Sequence, residues 1–232
     1  DKRIVLPSGM VLIVRRDPSV PVVAMRAVWR GGQRSEDAEH AGASTLLARM
    51  LTRGCAKLEA AQFAARVDAL GGSLGAVSGR NSFGDAGEWL ARNWQNGLEL
   101  MSDCILDPRL PVRELAGVKR LLVDDQAAQG DNPSQVAFRL FSEALYGDHP
   151  YARDVLGTAR SVGKLSRDDL AAFYRAQYPV SNLTLAIVGD VDIDDAVARI
   201  TKRFAAKSPR ATLPRIAPPS FEACLRQAED LA

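Results

Sequence analysis

Residues 4–32 read IVLPSGMVLIVRRDPSVPVVAMRAVWRGG, and their pattern sets the fold class. Ile4-Val5-Leu6 leads into the turn Pro7-Ser8-Gly9, and Met10 to Val14 then reads as a strand ending at Asp17-Pro18. Pro21 to Trp29 is a second strand, apolar enough to be central in a sheet, and Gly31-Gly32 closes it. The chain therefore begins as an antiparallel β pair.

Beyond this stretch the periodicity turns helical. Residues 39–53 place Leu46, Leu47, Met50 and Leu51 on one face, with Gly54 as a C-cap. Residues 58–70 align Phe63, Val67 and Leu70 ahead of Gly71-Gly72. Two short β segments, Ser73–Ser78 and Ser82–Leu90, flank a turn at Gly79-Arg80-Asn81, and their glycines signal close approach by another backbone. Helices are predicted at 92–105, 112–128 and 133–146, separated by Asp107-Pro108 and Asn132-Pro133. Ser166 caps a helix running to about Arg175, Asn182–Val188 is a strand, and Asp194–Phe204 is a last amphipathic helix. Strands at both ends with helices bunched between them give an α+β class, not a regular βαβ alternation.

Composition excludes several roles. With 47% hydrophobic and 25% charged residues in 232, the chain has an ordinary globular makeup and enough length for a real core. Thirty basic against 28 acidic side chains leave a net charge of +2, too balanced for a nucleic-acid or anionic-membrane partner. No apolar run approaches the roughly 20 residues that span a bilayer, and DKRIVLPSGM is neither a signal nor a transit peptide. The residues leave the compartment open, with the periplasm preferred to the cytoplasm. Cys55, Cys104 and Cys224 form no C-x-x-C pair and read as buried or half-buried thiols; a Cys55–Cys104 bridge in an oxidising compartment is the alternative. Cys55 is expected at a helix end, an unfavourable place for a nucleophilic thiol. G-x-S-x-G, P-loop and G-x-G-x-x-G motifs are absent.

Five stretches, in order, carry a resemblance: LPSGMVLIVRRDP with PVVAMRAVWRGGQRSE, AGASTLLARMLTRGC, DALGGSLGAVSGRNSF, GDNPSQVAFRLFSEALYGDHPYARDVLGT, and LSRDDLAAFYRAQYPVSNLTLAIVGDVD. Together they resemble the pitrilysin/insulinase zinc peptidases, specifically the mitochondrial-processing-peptidase-like branch, over residues 4–192. The resemblance implies a two-layer α+β sandwich, a mostly antiparallel sheet packed with helices, forming one half of a clam-shell chamber. Residues 1–207 would be that first half, and proline-rich 208–232 a linker toward a missing homologous second half.

In that family an H-x-x-E-H motif lies on the helix placed here at 39–53. Histidines at i and i+4 project from one helical face to grip zinc, and the Glu activates water. Alignment on Met50-Leu51 and Gly54 puts Thr45, Ala48 and Arg49 at the three positions. A neutral hydroxyl, a methyl and a permanent cation without a lone pair cannot hold Zn²⁺ or activate water. The third ligand, a Glu in the family, maps to Asp125, with Asp124 beside it. It is expected either as a solvated acid or paired with Arg49 in place of the metal charge. Zinc is expected to be absent.

Glu36-Asp37-Ala38-Glu39-His40 is one change from the same motif but precedes the helix, where acids complement the dipole. His149, in H-P-Y, reads as structural. The family's peptide-binding edge strand carries N-A-x-T, matched here by Gly75, Ala76, Val77 and Ser78. Backbone pairing with an extended peptide needs no particular side chain, so binding is expected to outlast hydrolysis. The resemblance thus implies a non-catalytic subunit or half that shapes the chamber for an active zinc-peptidase partner. The alternatives are a scaffold without a peptide site, and a hydrolase using the 36–40 acids with Asp124 and Asp125.

Overall fold

The computed structural model describes residues 1–205. Six strands form one sheet: β1 (Lys2–Val5), β2 (Val11–Arg16), β3 (Val22–Arg30), β6 (Gly72–Ser78), β7 (Ser82–Leu90) and β8 (Thr184–Gly189). Their order is β1-β2-β8-β3-β7-β6, and every pair is antiparallel except β2 with β8. A two-residue hairpin, β4 (Gly54–Cys55) with β5 (Leu58–Glu59), stands apart. The helices are α1 (Ala43–Leu51), α2 (Ala60–Ala69), α3 (Trp94–Leu106), α4 (Val112–Gly130), α5 (Pro133–Tyr146), α6 (Ala159–Lys164), α7 (Arg167–Gln177) and α8 (Ile193–Arg203).

Strand parity shows that one sheet face is covered. Along β3, Val23, Met25, Ala27 and Trp29 are buried while Arg26, Val28 and Arg30 face out. The buried face meets α1, α2 and α3 over β6 and β7, and α8 over β2. The result is the expected two-layer α+β sandwich. Trp29 lies 6.1 Å, centroid to centroid, from both Phe83 and Tyr178, and its indole Nε1 donates to the Pro179 carbonyl at 3.0 Å. Withdrawing each such large apolar side chain from water stabilises by roughly 1.5–3 kcal/mol, and this cluster ties the N-terminal strands to the segment after α7.

Three sequence expectations change. β3 does not pair with β2, because β8 lies between them: the Asp17 N–H donates to Gly189 O at 2.8 Å, and Asp190 N–H to Val22 O at 3.2 Å. Gly189, at φ 145°, permits that squeeze, since a Cβ there would stand 2.1 Å from Val22 O. The helix expected at 39–53 starts only at Ala43, because Gly42 is left-handed (φ 89°). Gly54 is no C-cap; it opens the β4–β5 hairpin, where a Cβ would meet Leu58 O at 2.6 Å. That hairpin and α6 lacked a sequence signal, both being too short for periodicity. The linker reading of 208–232 and Cys224 lie outside the described residues.

Candidate functional site at the α1–α4 seam and the β6 edge

α1 forms because Leu46, Leu47, Met50 and Leu51 repeat at helical spacing, and all four are fully buried. Its first turn is served by Glu36, whose carboxylate accepts from Gly42 N–H at 2.9 Å and Ser44 N–H at 2.7 Å. Burial pushes the Glu36 carboxyl above the usual range, while the bonds from Ser44 and Gly42 pull it back. Asp37 accepts from His40 N–H at 2.8 Å, and the His40 ring Nδ1 lies 2.7 Å from the same oxygen. The 36–40 acids therefore organise the entry to α1. Among the described residues no group of three or more His, Cys, Asp or Glu side chains could hold a metal ion.

The motif positions are each engaged otherwise. Thr45 Oγ1 donates to Val155 O at 2.6 Å, and Ala48 is buried. Arg49 reaches across to α4, placing Nη2 2.6 Å from Asp125 Oδ2. Asp124 turns elsewhere, lining a cavity with Arg53 and Arg120. The zinc that the resemblance implies does not fit this set: the hydroxyl proton is committed to a carbonyl, the second position has no donor, and a guanidinium occupies the third.

Beside this seam runs β6, the outer strand of the sheet, bonded to β7 on one side, with α1 and α2 packed against it. Leu74 and Ala76 lean on the core, and Val77 is 56% exposed. Gly75 has open space: an added Cβ would find nothing within 4 Å. The structure thus places Gly75–Ser78 along an edge, Thr45, Ala48 and Arg49 on α1 beside it, and Asp125 on α4 against α1.

His149 Nδ1 accepts from Tyr151 N–H at 3.2 Å, and its ring lies 4.5 Å from that of Tyr151, so it shapes the loop. Cys55 and Cys104 are buried free thiols in contact; that contact and burial hold the Cys104 thiol far above its ordinary range. Sequence reasoning missed Asp85. Parity along β7 was the available signal, since Phe83, Asp85 and Trp89 share the core face. Its carboxyl is buried, Oδ2 has no hydrogen-bond partner among the described residues, and desolvation pushes it up to about 7.

The family model for insulinase (peptidase family M16) matches residues 11–159, and that for the peptidase M16 inactive domain matches 164–229. An uncharacterized zinc protease of Mycobacterium leprae is 29% identical over 206 residues, 88% of this chain and 46% of the relative. The chain therefore spans about half the length of the curated relatives it matches. The structure of a peptidase M16 inactive domain from Pseudomonas fluorescens superposes with a TM-score of 0.87 at 25% identity, over 94% of this chain and 53% of that one. The periplasmic protease PqqL from Escherichia coli shares the fold, with a TM-score of 0.87 at 16% identity over 95% of this chain and 25% of PqqL. With the first family model alone covering most of its length, the chain belongs to the insulinase family of peptidases, family M16.

Proposed function

We propose that this domain no longer hydrolyses peptides and instead binds extended peptide along β6, shaping a substrate chamber for an active zinc-peptidase subunit and for its own second half. The observation that carries the reading is the Arg49–Asp125 contact of 2.6 Å: the position of one ligand holds a cation that consumes the carboxylate at another. The open edge of β6 supports retained binding, because strand addition uses backbone groups that survive loss of the motif.

The test pairs metal analysis with peptide titration. The purified chain is expected to carry no stoichiometric zinc, to cleave no unfolded peptide, and to bind such peptides in a fluorescence titration. Stoichiometric zinc with cleavage abolished by a chelator would sink the reading in favour of a metallopeptidase with a non-standard site. A second reading, an assembly subunit without peptide binding, is favoured by the exposed apolar side chains Phe138, Leu140 and Phe141 on α5. It predicts no peptide binding, with or without an active subunit.

A further inference from the structure

Two adjoining cavities, of about 580 Å³ and 210 Å³, lie between α4, α5 and the segment 152–155, and both are lined by Arg139 and Arg153. The smaller is also lined by Arg80, from the β6–β7 turn, and the acid in its wall is Asp154. Asp154 is engaged locally, accepting from Leu156 N–H at 2.7 Å. Arg80 and Arg139 are poorly neutralised, whereas Arg153 also acts on the buried Glu36 carboxyl. Arg80 donates to Ser142 Oγ at 3.3 Å, lies 5.9 Å over the Tyr151 ring, and has no ion pair among the described residues. Arg153 donates from Nη2 to Glu36 O at 2.6 Å, while its buried Nε has no partner among the described residues. Arg139 has one loose contact, 3.6 Å to Glu143, with both side chains about half exposed.

Surplus fork-shaped donors converging on one cavity match a carboxylate, which guanidinium binds in paired hydrogen bonds. The cavity also adjoins the site described above. Val155 forms part of its wall and accepts the Thr45 hydroxyl, and Arg80 stands two residues past the end of β6. We infer that Arg80, Arg139 and Arg153 form a pocket for a peptide carboxylate, either a C-terminus or an Asp/Glu side chain. This rests on the peptide-binding reading and deepens it: a strand added along β6 delivers its carboxylate to the pocket at the β6–β7 turn, so acidic peptides are the favoured class.

Fluorescence anisotropy on the full chain tests this, using short unfolded peptides alike but for charge: one blocked at both ends and neutral, one with a free C-terminal carboxylate, one with an internal Glu, and one with an internal Lys. One or both carboxylate peptides should bind about tenfold more tightly than the neutral one, and which of them gains identifies the source. Arg80→Gln with Arg139→Gln, both at exposed positions, should erase the gain yet leave neutral-peptide affinity unchanged; Arg139→Gln alone should reduce it. Equal binding of all four peptides, or a gain that survives in the double variant, overturns the pocket while leaving the β6 reading intact. Acidic peptides binding where the neutral one does not would keep the pocket and defeat the β6 reading. No binding by any peptide defeats both.

Discussion

Arg49 and Asp125 touch across the α1–α4 seam at positions with 31% and 53% side-chain exposure, and that exposure sets what the pair is worth. Water screens the attraction and rehydrates Asp125 once Arg49 is gone. Arg49→Ala should therefore cost only about 0–1 kcal/mol in urea unfolding and leave zinc content unchanged; a much larger loss would mean that the pair pins the two helices. Asp85 is the opposite case, buried, with Oδ2 lacking a hydrogen-bond partner among the described residues. Its folded-state value of about 7 stands above the ordinary 3.8, so the folded chain binds the proton more tightly than the unfolded chain. Its contribution is fully present below about pH 4 and is lost as pH rises through about 7, on the order of 4 kcal/mol across that window. Asp85→Asn should flatten this slope: denaturation at pH 5 and pH 8 should find the parent chain weaker at pH 8 and the variant nearly level.

At the scale of elements, the small residues of β6 and β7 signal close approach in the sequence, and individual glycines answer that signal differently. In β7 it holds: a Cβ at Gly84 would stand 2.0 Å from Ala27 O in the neighbouring β3. Gly84→Ala should then cost about 2–3 kcal/mol in thermal unfolding, as overpacking against immovable backbone does. In β6 it holds at Gly72, where a Cβ would stand 2.3 Å from Glu88 O, and fails at Gly75, which faces open space although it pairs with Ala86. Gly75→Asn should change stability by no more than about 0.5 kcal/mol; a large loss would mean that the edge is covered. Composition cannot separate Gly84 from Gly75, since both lie in paired strands and the difference is what stands around each Cβ position.

For the molecule as a whole, the unusual surface is α5, where Phe138, Leu140 and Phe141 are 72%, 55% and 58% exposed and Ser142 is the buried position. Exposed apolar side chains in such number on one helix are what the assembly reading rests on. Phe138→Asp with Phe141→Asp should leave urea unfolding within about 0.5 kcal/mol of the parent, since neither ring is packed into the core; a larger loss would mean that the two rings are covered.

The sequence by itself determined the main helices and strands, the breaks between most of them, and which side chains share a face of α1. These rest on local rules: i to i+4 spacing puts Thr45 and Arg49 on one helical face whatever else surrounds them. Tertiary structure alone decided that β8 lies between β2 and β3, that Glu36 serves the start of α1, and that three arginines from separate segments share a cavity. Each of these joins residues far apart in the chain. Which backbone groups and charges become neighbours there depends on how the sheet and helices pack, and residue spacing carries no record of it.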